Sequence, residues 1–176
     1  MTTATVAALD TPLTRIVDAT AEALTAEPAR AVVVFDAAAT GHDAVASTIA
    51  LGEYRVEVDE PPSLGGADTA PNPVQYYLAS LLSCQIVTYR FWADRLGLRI
   101  DRITATAEGD LDVRGFFGLD DAVRAGFTEV RVNVDIAGPD DAERYRELHR
   151  AVDEHCPVLD LTANPTPVVT TLSVVE

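Results

Sequence analysis

The chain has 176 residues, 48% of them apolar, enough to bury one core and too few for two ordinary domains. Its net charge is −15 and all 13 basic residues are arginine, which argues against nucleic acid and anionic membrane surfaces as partners. The absence of lysine excludes Schiff-base chemistry and a Walker A phosphate loop, which both need that amine.

Met1–Asp10 has neither a basic flank nor a sustained apolar run, so no signal peptide is read there and the expected location is the cytoplasm. Leu13, Ile16, Val17 and Leu24 predict an amphipathic helix over residues 12–26, with Thr11 as N-cap and Pro28 ending it. Ala31–Phe35, Ala44–Leu51 and Tyr54–Val58 are rich in β-branched residues and predict a three-stranded meander, with Ala39–Asp43 and Gly52–Glu53 as its turns. The Gly65-Gly66 pair reads as a loop hinge. Asn72-Pro73 is a cap and first-turn pair for a long helix over about residues 74–96. That helix is apolar on nearly every face, through Tyr77, Leu78, Leu81, Leu82, Ile86, Val87 and Phe91. It needs cover from several sides, and a homodimer is expected to supply part of it.

Ile100–Glu108 and Thr128–Ile136 alternate apolar and polar residues and predict an antiparallel pair, with a turn or short helix in the connection over residues 110–127. Asp140, with Glu143 as capping-box partner, predicts the start of a second long helix. Tyr145, Leu148, Val152 and Cys156 fall on one face of it, and Pro157 ends it. Pro167–Val175 reads as a last strand. The order predicts an α+β domain.

The two cysteines, Cys84 and Cys156, form neither a disulfide framework nor a CxxC metal knuckle. Cys84 lies roughly 18 Å along its helix, beyond the favourable field of the first turn, so a thiolate there needs a nearby cation. It is read either as a small core hydrophobe or as a reactive thiol. Cys156, at the negative end of its helix, suits the resolution of an oxidised partner better than first attack. His149 and His155 are six residues apart and point to different faces, which argues against a metal site. The carboxylates Asp110, Asp112, Asp120 and Asp121 lack the order of an EF-hand loop. Ser47, Ser63 and Ser83 lack a nucleophile-elbow context.

The stretch from Asp59 through Asn72-Pro73 to Cys84 resembles the OsmC-like and organic hydroperoxide resistance proteins, with their Asn-Pro helix start and mid-helix cysteine. Cys156-Pro157-Val158 is similar to that family's Cys-Pro-Val motif, and Glu108–Gly115 resembles a strand and loop of one of its branches. The resemblance covers residues 30–176 and leaves residues 1–29 as an N-terminal helical extension. It implies an intertwined α+β homodimer, with antiparallel sheet around a long central cysteine-bearing helix and sites at the subunit interface.

By that analogy Cys84 is the peroxidatic thiol, Cys156 the resolving thiol and Arg55 the assisting cation. The substrate would be an organic hydroperoxide, and the reductant a dithiol or a lipoylated protein, with no cofactor and no metal. The family's glutamate falls on Val74, which cannot hold an arginine, so weak turnover is expected unless Glu57 or Glu60 replaces it. The alternative is a non-catalytic dimer that binds a small apolar ligand or senses oxidants stoichiometrically, with Val74, Tyr76 and Tyr77 suited to an apolar wall.

Overall fold

A computed structural model describes residues 12–175, so the expectations for Met1–Asp10 and for Thr11 as a cap lie outside the described residues. The first helix, α1, spans Pro12–Ala26 as expected and is followed by a short 3-10 turn over Pro28–Ala31. Three antiparallel strands follow: β1 (Ala38–His42), β2 (Ala46–Leu51) and β3 (Tyr54–Val58), in the order β1-β2-β3. Ala31–Phe35, expected as the first strand, is not one. The strand lies seven residues later, over part of the segment assigned to the turn, where Ala39 faces Ile49 and Gly41 faces Ser47. Val34 and Phe35 are 90% and 91% exposed. Their β-branched and aromatic character favours extended backbone, but no strand among the described residues pairs with them.

The long helix α2 spans Pro73–Arg95 and starts where the Asn-Pro pair placed it. Asn72 Oδ1 accepts from the Gln75 N–H at 2.9 Å, and Gln75 Oε1 accepts from the Asn72 N–H at 2.9 Å, so two otherwise unpaired donors are satisfied reciprocally. A hairpin of β4 (Arg102–Asp110) and β5 (Glu129–Ala137) packs beside α2, pairing Ile103 with Ile136 and Ala105 with Val134 on its inner face. Its connection carries the short helix α3 (Val113–Phe116).

Helix α4 (Ala142–His155) is capped by Asp141, not Asp140. Asp141 Oδ1 accepts from the Glu143 and Arg144 N–H groups, whereas Asp140 Oδ2 takes the Arg99 N–H at 2.8 Å and ties the helix start to the end of α2. Pro157 stops α4 and at once opens a further helix, α5 (Pro157–Ala163), which sequence reading missed. Residues 165–175 form no strand within the chain, and Val169 is 89% exposed there.

The core lies between α2, α4 and the β4–β5 hairpin, built on Tyr89, Ala93, Leu98, Ile100, Leu148, Val152 and Cys156. Val87 and Phe91, on the other side of α2, remain exposed. The β1–β3 sheet packs chiefly on itself. It joins the helices through the loop of residues 59–72 and a 2.8 Å hydrogen bond from the Tyr76 hydroxyl to the Glu57 carbonyl.

Asp59, buried at the start of that loop, accepts from the Glu60, Ala67 and Thr69 N–H groups and from the Thr69 hydroxyl. A Cβ on Gly66 would stand 1.8 Å from the Glu60 carbonyl oxygen, so only glycine fits there. The Gly65-Gly66 step is therefore pinned and is no hinge. No described helix is long and apolar enough to cross a membrane.

Candidate functional site

Tyr77, Leu81, Cys84 and Thr88 follow one another at helical spacing along α2. Leu148, Val152 and Cys156 do the same along α4 and are buried against α2. The two stripes meet, so sulfurs 72 positions apart in sequence share one apolar cluster, with Cys84 half-buried and Cys156 only 1% exposed. Both are free thiols.

Cys156 terminates α4, its N–H donating to the Val152 carbonyl at 2.9 Å, and begins α5, its own carbonyl accepting from the Asp160 N–H at 2.9 Å. The sequence expectation placed Cys156 only at a negative helix end; the extra helix changes that setting by turning the Leu159 N–H toward the sulfur. Burial is the largest influence and pushes the Cys156 thiol above its ordinary range. The adjacent Cys84 sulfur pushes the same way, while the Leu159 N–H and the Thr88 hydroxyl pull against them. Thr88, buried one turn after Cys84, also donates to the Cys84 carbonyl at 2.8 Å. Thr88 and Leu159 thus belong to the sulfur pair's surroundings and were not found from sequence. The i, i+4 spacing of Cys84 and Thr88 was the available signal.

Arg55 lies on the exposed, polar face of β3, opposite Ala50 and on the same face as Glu57. It is not among the groups that act on Cys156. Of the two carboxylates considered as its holders, Glu57 already accepts from the Thr48 hydroxyl at 2.8 Å and lies 3.5 Å from His42 Nε2. Glu60 Oε2, in contrast, is enclosed without a hydrogen-bond partner among the described residues. A buried carboxylate oxygen is costly in that state.

The histidines serve separate neighbours. His149 Nδ1 and the Tyr89 hydroxyl share a 2.5 Å hydrogen bond, and His149 Nε2 is 3.5 Å from Asp153. Burial first, and then the charges of Asp153 and Cys156, push the Tyr89 phenol up to about 12. His155 packs on Trp92 with ring centres 4.2 Å apart, and the Arg95 guanidinium covers the same indole at 5.1 Å.

Toward the start of α2 a cavity of about 670 Å³ opens between Val74, Tyr77, Phe127, Leu159 and Arg124. Tyr77 and Phe127 rings meet there with centres 5.7 Å apart, and the Tyr77 hydroxyl is 2.7 Å from Thr162 Oγ1. With Leu159 in its wall, this apolar chamber reaches the neighbourhood of the sulfurs.

A family model described as OsmC-like protein matches residues 65–171. Among solved structures, the fold is similar to an OsmC-like protein from Mycoplasma pneumoniae (TM-score 0.65, 16% identity, 76% of this chain and 89% of that one). It is also similar to an organic hydroperoxide resistance protein OsmC from Legionella pneumophila (0.58, 22%, 76% and 91%). A third is an organic hydroperoxide resistance protein from Elizabethkingia anophelis (0.57, 23%, 76% and 91%). At these identities the likeness is one of fold. No curated protein matches the sequence.

Proposed function

Because the chain belongs to the OsmC-like family, we propose that it reduces organic hydroperoxides at the expense of thiols, working as a homodimer. In this reading the Cys84 thiolate attacks the O–O bond, keeps one oxygen as sulfenic acid and releases the other as an alcohol after it takes up a proton. The Cys156 thiol then displaces water from that sulfenic acid to close a disulfide. A dithiol, free or carried on a lipoylated protein, accepts the oxidation and restores both thiols. Arg55 supplies the positive charge that the Cys84 thiolate lacks within its own apolar setting, with Glu60, whose Oε2 is unpaired among the described residues, as its holder in place of the residue lost at Val74. No cofactor is required, and nucleic acid and membrane are not partners. Residues 30–176 form the OsmC-like unit and residues 1–29 an extension of it.

The observation that carries this reading is the meeting of Cys84 and Cys156 in one cluster. The homodimer is supported by surface. Apolar segments at residues 32–35 and 168–175 stand open to solvent.

Cumene hydroperoxide is expected to consume both free thiols and Cys84→Ser to abolish the loss; a folded protein whose Cys84 stays reduced in excess peroxide refutes the proposal. A second reading, a stoichiometric redox sensor, is favoured by Val74 at the glutamate position and by the raised Cys156 thiol. Supplying dihydrolipoamide separates the two: many peroxides reduced per chain mark the enzyme and a single one the sensor.

A further inference from the structure

Two free thiols lie farther apart than two bonded sulfurs, so closing a disulfide between Cys84 and Cys156 requires one stretch of backbone to give. Cys84 is poorly placed to move. It stands in the middle of the 23-residue helix α2, with helical turns on both sides and the Thr88 hydroxyl on its carbonyl at 2.8 Å. Helix α4 is no freer, because Leu148 and Val152 anchor it at 0% exposure. Cys156 itself is the joint: its backbone is extended, at φ −82° and ψ 111°, between the last residue of α4 and the first of α5. Beyond that joint α5 has seven residues, and none of them is buried.

We propose that α5 is the element that swings when the two sulfurs join, and that Tyr77 and Thr162, which tie it to α2, are positioning residues that hold the pair in its dithiol form. The Thr162 hydroxyl gives its one proton to the Val158 carbonyl at 2.9 Å, so the Tyr77 hydroxyl is the donor in the 2.7 Å bond between them. The Leu159 N–H, turned toward the Cys156 sulfur, is a second restraint on the first turn of α5, and it favours the thiolate that a disulfide removes. In closing, the thiols give up two electrons and two protons. A hydroperoxide that takes them becomes an alcohol and water, and diamide that takes them becomes the hydrazine. Coupling of this kind is reciprocal: if closure breaks the bond between Tyr77 and Thr162, a chain lacking that bond closes more readily.

This rests on the pairing of Cys84 with Cys156 in the hydroperoxide reading and goes beyond it by naming what moves. Full-length protein oxidised with diamide is compared with the reduced form by amide exchange, resolved by peptide mass analysis. Exchange is expected to rise about fivefold or more in residues 157–163, to stay within about twofold in residues 142–155, and to be indifferent to diamide in Cys84→Ser. In dithiothreitol buffers Tyr77→Phe is expected to shift the equilibrium about fivefold toward the disulfide, the worth of one hydrogen bond; a residue that merely stabilised the fold in both forms would not move it. Unchanged exchange in α5, a rise placed in α2 or α4 instead, a Tyr77→Phe equilibrium equal to that of the unmodified chain, or no disulfide between Cys84 and Cys156 overturns the proposal. Disulfide closure with a moving α5, but without peroxide reduction, leaves it standing and refutes the peroxidase.

Discussion

Thr88 has one hydroxyl proton and two acceptors within reach, the Cys84 carbonyl and the Cys156 sulfur. Valine in its place keeps the shape and removes that donor, so Thr88→Val is expected to raise the Cys156 thiol further and slow its alkylation by iodoacetamide. Thr88→Ser restores the rate. A hydrogen bond to a charged group is worth about 1.5–3 kcal/mol, which predicts roughly a tenfold effect on the thiolate fraction. The sign in pH follows from the direction of the shift: Cys156 is neutral in the folded chain at pH values where an unfolded one has begun to ionise. Its alkylation in the native protein therefore rises only above the ordinary thiol range, near 9.0, and native stability falls as pH climbs through that region. Iodoacetamide rates across pH 7–11, resolved by peptide mass analysis, check both statements. Sequence pointed to Cys156 as the resolving thiol through its helix-end position, yet its environment was hidden because Pro157 reads equally well as a terminator and as the first residue of a new helix.

Among the elements, the loop of residues 59–72 carries the burden of joining the outer sheet to the helices. Its anchor, Asp59, is held near 2, first by the Thr69 N–H and then by the Glu60 N–H, each of which favours the ionised form. With the folded value below the ordinary 3.8, the stabilisation is fully present above that pH and is lost as the pH falls toward 2. Acid titration followed by amide exchange at Ala67 and Thr69 is expected to show these protons losing protection in that window. Asp59→Asn is expected to remove the dependence and loosen the loop at neutral pH.

The helix start that follows is equally local in origin. Asn72→Ala is expected to cost about 1 kcal/mol in thermal or urea unfolding, the usual worth of such a cap. Both ends of this segment show why helix starts were legible: cap and first turn lie within four residues. The choice between Asp140 and Asp141 was not, because only tertiary packing with Arg99 decides which of two adjacent aspartates turns outward.

For the molecule as a whole, the strands that were misplaced are the informative ones. Residues 31–35 and 167–175 have the β-branched composition of strands, and nothing among the described residues pairs with them. Local pattern reports that a segment will be extended; it does not report whose backbone completes the sheet. The paired hairpin β4–β5 was legible because its partner lies in the same chain, a connection away. Sedimentation equilibrium at micromolar concentration is expected to give twice the chain mass, and a species of one chain mass would oppose the homodimer. A charge placed in the open segment, as in Val169→Lys, is expected to shift the equilibrium toward single chains.

The same C-terminal run has a further consequence. From Val168 to Val175 it carries no charge, no proline and no glycine, and it stands open along its whole length. Such a segment is a template for its own kind. In the proposed homodimer, a chain that waits too long for its mate, in dilute refolding or in excess synthesis, would therefore be exposed to fibrillar self-stacking, and its safe window would be set by how quickly the two copies find each other.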